Sequence, residues 1–271
     1  MPEINPKDQT LKALQGLHLW HAPMSSCSQR VRLTLVETGR PYESHIVRLE
    51  RDEHATEAYQ AIHPKGLVPA LVDDGRLYIE SIDIIRHLAG GMGGDVDLLA
   101  LADAAQKDLK LLTFEFLFRA NPPQPIDAVV AFQAAHQNEW LKGFRHDFAQ
   151  GFAPQRLDDA VVRTNEGFVK LDSRLSDGRT FLLGDVFSLN DIAWMPNMHR
   201  FHLMGWPFER TPHLAAWFDR VAARPSYQTG LADWQPPELT ARFEAYVQER
   251  REAGTDIRCS SAFAQKRKPY V

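Results

Sequence analysis

Strand patterns end abruptly at a glycine-rich stretch, GGMGGDVD, and helical periodicity alone continues beyond it. That change of character constrains the fold more than any other feature. Before it, LHLW (17–20) reads as a short strand. Residues 26–38 set Cys27, Val31 and Leu35 at i, i+4 spacing, which predicts one helix face, and Gly39 followed by Pro41 supplies a stop. SHIVRL (44–49) reads as a second strand and the polar residues 53–62 as a short helix or turn. LVPALVDDGRLYIE holds two apolar runs around Asp74-Gly75. Such a pair signals a hairpin, because a type I′ turn needs positive φ at both central residues. SIDIIRHLAG then reads as a helix, with Ile82, Ile85 and Leu88 at helical spacing. The order β-α-β-α-β-β-α predicts a small mixed sheet, with parallel pairing through the crossovers and an antiparallel edge pair at the Asp-Gly turn.

After the linker, residues 98–118, 132–149, 156–175, 189–204, 212–223 and 238–252 read as helices. Ser188 is placed as an N-cap with Asp191 three residues on, a capping box in which Asp stands for the usual Glu or Gln. Thr211-Pro212 opens another helix with proline at its first position. The chain thus divides into an α/β domain at 16–90, a linker at 91–97, an all-α domain at 98–235 and an extension at 236–271. The extension carries one helix, with Leu239, Phe243 and Val247 at i+4 steps, and a basic end.

Bulk properties narrow the function classes. With 44% hydrophobic and 24% charged residues, 271 residues can bury a sizeable core. A net charge of −4 gives no reason to expect nucleic acid or a membrane surface. No run approaches the ~20 apolar residues of a membrane-spanning helix. Only two cysteines, Cys27 and Cys259, are present, so no disulfide framework is expected and a cytoplasmic protein with reduced thiols is the reading. No metal site is assigned.

The chemistry concentrates in HAPMSSCSQRVRLTL. Ser25, Ser26 and Cys27 stand where a strand turns into a helix, a place with free backbone N–H groups and a positive field suited to a thiolate. A shift of one pKa unit corresponds to about 1.4 kcal/mol, the size of one good charge-assisted hydrogen bond. A single hydroxyl can therefore keep a thiol ionised without a general base. One of the two serines is expected to be the helix cap.

Four motifs in order resemble the glutathione transferase superfamily over about residues 16–225: SSCSQR (25–30), similar to the zeta-class motif; GLVPAL (66–71), similar to the loop whose proline is cis; ESIDIIRHL (80–88), similar to the acidic-serine motif; and SLNDIAW, similar to the capping box of the helical domain. The resemblance implies a thioredoxin-like domain followed by a helical domain, a homodimer, and glutathione as cofactor. It places Val68, before a cis Pro69, against the cysteinyl backbone of glutathione, a form of β-augmentation. Ser81 and the helix N–H groups would take the γ-glutamyl carboxylate, and Glu80 its ammonium. Lys65 and Gln60 could serve the glycyl carboxylate, though surface solvation is the more ordinary reading of both. Ser25 is the first choice to stabilise the thiolate and Ser26 the second. Cys27 has three readings: the nucleophile of a reductive dehalogenase, a tuning group as in zeta-class isomerases, or a small core residue beside Val31 and Leu35. Arg30 would orient the site or pair with an acid.

The second substrate would sit between the domains. Phe114, Phe116 and Phe118 are two residues apart, so on a helix some meet the core and some the cleft. Trp194, His199, Arg200, His202 and Trp206 cluster later; core packing is the default for the aromatics, while Arg200 or a histidine could accept a carboxylate or phenolate. The stretch 119–160 and the tail after 236 look like additions of the kind carried by aromatic-degrading members, the β-etherases and reductive dehalogenases. The expectation is an enzyme transferring glutathione to a bulky aromatic electrophile, such as a β-aryl ether or thioether, in aromatic catabolism or detoxification. A reductive dehalogenase, a maleylacetoacetate-type isomerase and a non-catalytic ligand-binding module stay open as alternatives.

Overall fold

The computed structural model describes residues 3–264. Strands β1 (Leu17–His21), β2 (Glu43–Ile46), β3 (Ala70–Asp73) and β4 (Arg76–Ile79) form one sheet in the order β2-β1-β3-β4. β1 and β2 run parallel, joined through α1 (Ser26–Thr38). β3 runs antiparallel to β1 instead of following the second crossover into parallel pairing. The helix in that crossover, α2 (Glu57–Ile62), is short, spanning about 9 Å. It does not carry the chain back along the sheet, so β3 starts from the end where β2 stopped. Asp74 and Gly75 have φ of 47° and 78°, the pair of left-handed residues expected between β3 and β4. The second strand is also shorter than read, giving way after Ile46 to 3-10 turns over 49–55.

α1 and α3 (Ser81–Leu88) cover one sheet face, where Leu19, Leu71, Val31, Leu35, Ile84, Ile85 and Leu88 share a core. Gly39 caps α1 as expected. A 3-10 turn at Gln9–Ala13 brings Leu11 to the opposite face, against Ala70, Val72, Leu77 and Ile79.

The rest is helical: α4 (Val96–Ala104), α5 (Gln106–Phe116), α6 (Ile126–Ala135), α7 (Glu139–Gln150), α8 (Pro154–Leu175), α9 (Leu189–Leu203), α10 (Pro212–Ala222), α11 (Pro225–Gly230) and α12 (Pro237–Glu252). The helix read over 98–118 divides at Ala105, and that over 132–149 divides where Asn138 accepts from the Leu141 N–H and starts α7 afresh. The capping box of α9 is formed. Buried Asp191 accepts from the N–H groups of Leu182 and Ser188, the Ser188 hydroxyl and the Trp217 indole, at 2.6–2.9 Å. The extension packs on this domain: Phe243 is buried, Phe263 meets Trp206 edge-on, and Ser260 donates to Asp158. The basic end, 265–271, lies outside the described residues. No described helix is long and apolar enough to cross a membrane.

Candidate active site

The serine–cysteine turn leads from β1 into α1. Ser25 is the cap: its Oγ accepts from the Ser28 N–H at 3.3 Å. A hydroxyl held as acceptor still has its own proton to donate. Ser26 spends its proton differently, donating to Gln106 Oε1 on α5 at 2.6 Å, with Cys27 Sγ 3.7 Å from the same oxygen. Gln106 in turn donates to Asn197 on α9 at 2.5 Å. Cys27 is a free, half-buried thiol in the first turn of α1.

Two arginines fix this turn. Arg30 is fully buried and donates to the carbonyls of Ala193 and Ala102 at 2.9 and 2.7 Å, and to Ser81 Oγ at 3.2 Å. Its contact with Asp103 is longer, 3.4 Å, and that carboxylate is more than half exposed. Burial lowers the Arg30 pKa, and the charges of Cys27 and Asp103 oppose that shift. Arg200 donates to the carbonyl of Met24 at 2.5 Å. It is buried there and holds the turn, while its Nε–H has no partner among the described residues.

The β3–β4 register opposes Ala70 to Ile79, which sets Val68-Pro69 beside Glu80-Ser81. The Val68–Pro69 bond is cis. Among the described residues the Val68 N–H and C=O make no hydrogen bond, leaving an open edge of the kind a peptide ligand needs. Ser81 is buried at the start of α3, its Oγ accepting from Arg30. Glu80 and Lys65 face each other at 2.5 Å on the surface. Gln60 is buried rather than solvated. Its amide donates to the carbonyls of Ala55 and Ala135 and accepts from the Gln137 N–H, so it holds the added helices and is not free for a ligand.

Sequence reasoning missed two residues that face this turn. Gln106, Lys110 and Phe114 recur at i, i+4 along α5 and share one face. The Lys110 ammonium lies 5.0 Å from the Trp140 ring centre, 5.1 Å from Phe144 and 5.9 Å from Phe114, within cation–π range. Part of the side chain meets solvent, but its charged end is hemmed in by protein. Burial pushes its pKa down to about 8, against the opposing pull of a negative charge at Cys27. The i, i+4 signal was available, but a lysine beside polar residues reads as a solvated face.

The other aromatics sort as geometry requires. Phe114 contacts Phe118, Phe144 and Phe148. Phe116 is buried beneath Arg250, and Phe118 leans on Phe243 with Arg200 over it. Trp194 and Trp206 are core residues, His199 is bonded to Tyr227 and Gln235, and His202 is exposed. Trp194, Trp206 and His199 are thus taken up by packing or hydrogen bonds within the helical domain.

The added helices α6 and α7 dock on the α/β domain. His136 bonds to the Gly66 carbonyl at 3.1 Å, and Arg145 forms a two-pronged pair with Asp52. Gly66 has φ +57°, and a Cβ built there would stand 2.6 Å from His136 Nε2.

Residues 24–90 match the glutathione S-transferase N-terminal domain, and 154–220 match the glutathione S-transferase C-terminal domain. Glutathione S-transferase Z2 of Arabidopsis thaliana is 28% identical over 225 residues, covering 81% of this chain and 92% of its own. Among solved structures, the β-etherase LigF from Sphingobium sp. strain SYK-6 superposes with a TM-score of 0.67 at 21% identity, over 80% of this chain and 98% of that one. A glutathione transferase from Burkholderia graminis, with two glutathione molecules bound per subunit, gives 0.62 at 21% identity, over 83% and 89%. The chain belongs to the glutathione S-transferase superfamily. Residues 91–153, which include Lys110 and the docked pair α6–α7, fall between the two matched domains.

Proposed function

We propose that this transferase attaches the thiolate of glutathione to a bulky aromatic electrophile, cleaving a β-aryl ether or thioether, and that it works as a homodimer. The observation that carries the reading is Lys110, walled by Phe114, Trp140 and Phe144 and close to the charge at Cys27. Glutathione is the cosubstrate. The free backbone groups of Val68 would take its cysteinyl unit. Ser81 and Glu80 would meet the γ-glutamyl carboxylate and ammonium, and Lys65, once released from Glu80, the glycyl carboxylate. Ser25 would donate its uncommitted proton to the sulfur, with the α1 N-terminus adding its field.

In ether cleavage the thiolate attacks carbon, a C–S bond forms, the C–O bond breaks and the electron pair leaves on the phenolate. Lys110, with a pKa of about 8, is suited to give that oxygen a proton. The aromatic walls would hold the two rings. The test is incubation of the protein and glutathione with a β-aryl ether, following released phenol and the thioether by mass spectrometry. Formation of both supports the reading. Conjugation of a simple aryl chloride with no ether cleavage would overturn the ether assignment while keeping the transfer.

A second reading rests on Cys27, half-buried in the first turn of α1. As a thiolate it could attack the sulfur of a glutathionyl–aryl thioether. The S–aryl bond breaks, the aryl carbanion takes a proton, and a mixed disulfide forms that a second glutathione reduces, releasing glutathione disulfide. Loss of thioether cleavage in Cys27→Ala, with conjugation intact, would favour it.

A further inference from the structure

On the sheet face opposite α1 lies a cluster that the transfer chemistry does not use. Alternation along β1 sends Leu19 to the core under α1, and His18 and Trp20 the other way. The parallel register sets His18 opposite Glu43 and Trp20 opposite His45. His18 Nδ1 and His45 Nε2 are 3.1 Å apart, and the Glu43 carboxylate lies 3.5 Å from the first and 3.6 Å from the second. We propose that His18, Glu43 and His45 form a binding site for a late first-row divalent cation of the Zn²⁺ type, joining the edge strand β2 to β1.

The triangle has the right size. Ligand atoms about 2.0–2.1 Å from a tetrahedral zinc stand roughly 3.3 Å from one another, close to the 3.1 Å between the two ring nitrogens; Glu43 meets each histidine with a different oxygen, at 3.5 and 3.6 Å, and its exposed side chain need only turn to bring one of them to the ion. The chemistry also fits, since two imidazoles and one carboxylate suit Zn²⁺, Co²⁺, Ni²⁺ or Cu²⁺ and not Mg²⁺ or Ca²⁺. His18 is oriented from behind. Its Nε2 lies 3.1 Å from the Gln15 carbonyl; a carbonyl only accepts, so Nε2 carries the proton and Nδ1 turns its lone pair toward the cluster. Trp20 stacks on His45 at 4.3 Å and 12°, fixing that ring. Without metal, His45 Nε2–H donates to His18 Nδ1. On binding, His45 moves its proton to Nδ1, Nε2 becomes the ligand, and no net proton is released. Glu43 is exposed, so a fourth position stays open to water.

The test uses full-length, untagged protein, stripped of metal and kept free of thiols so that neither glutathione nor reductant competes. Zn²⁺ is titrated by calorimetry. Co²⁺ is followed by its visible absorption, intense only in tetrahedral sites, and by quenching of tryptophan emission, to which Trp20 is the nearest indole. The expected result is one equivalent bound at micromolar concentration, with affinity lowered at least about tenfold in His45→Gln and in Glu43→Gln, both on the solvent side of the cluster. Circular dichroism of the two variants checks that they remain folded. No stoichiometric binding, or binding that both folded variants retain at full strength, would overturn the site.

Discussion

Replacing Ser25 by alanine removes a hydroxyl whose proton has no acceptor among the described residues, whereas Ser26 already donates to Gln106. With glutathione and a simple aryl chloride, kcat/KM of Ser25→Ala is expected to fall about 10–100-fold, with a smaller loss in Ser26→Ala. Steady-state kinetics of the pair checks the order. Lys110→Met separates leaving groups: it should slow ethers of poor phenol leaving groups on the order of 100-fold and leave a nitrophenyl ether nearly untouched. The pH profile carries the sign. The acid form of Lys110 is present below about 8 and lost above it, so cleavage of the poor leaving group should decline above that pH in the wild type but not in the variant. At this scale the sequence was legible where residues act through local geometry. A serine cap at 25 or 26, which proves to be Ser25, and Asp74-Gly75 as a left-handed pair are decided by their immediate neighbours. Lys110 and Gln106 matter through side chains of α1 and α7, and local pattern carries no trace of such partners. Gln60 was misread for the same reason, since two of its three partners lie at the end of α6 and just after it.

Among the elements, α9 depends on Asp191. Asp191→Ala would strip the acceptor from four buried donors at once, two backbone N–H groups, a hydroxyl and an indole. The expected loss is about 3–5 kcal/mol, seen as a fall in the thermal midpoint on the order of 10 °C. Ser188→Ala, which removes only a hydroxyl, should lose about 1 kcal/mol. The capping box was readable because its signal spans three residues. The direction of β3 was not, because it turns on how far a short α2 carries the chain, a length and not a pattern. The division of residues 132–149 was likewise hidden, since apolar periodicity continues across a cap that Asn138 makes with its own neighbours.

For the molecule as a whole, buried histidines set the acid limit. Burial holds His21 at about 3 and His54, His63 and His199 at about 4. The unfolded chain takes up protons at these positions near the ordinary 6.5, while the fold refuses them. Their stabilising effect is therefore complete above about pH 6.5 and lost as pH falls toward 4. Denaturant midpoints should be level between pH 7 and 8 and drop steeply between 6 and 4. The two-domain plan was evident from the glycine-rich boundary, and the glutathione transferase resemblance supplied its architecture. How the domains grip each other was not, because Arg30 was expected to orient the site or pair with an acid and Arg200 to accept an anion, whereas both are buried and donate to backbone carbonyls across the domain boundary. The contact between Gly66 and His136 ties the loop before Val68-Pro69 to the added helices, with no room for even a methyl group. Glutathione held along residues 66–69, as proposed, would press on this contact, so its binding should be felt in α6 and α7 as slowed amide exchange across 126–150.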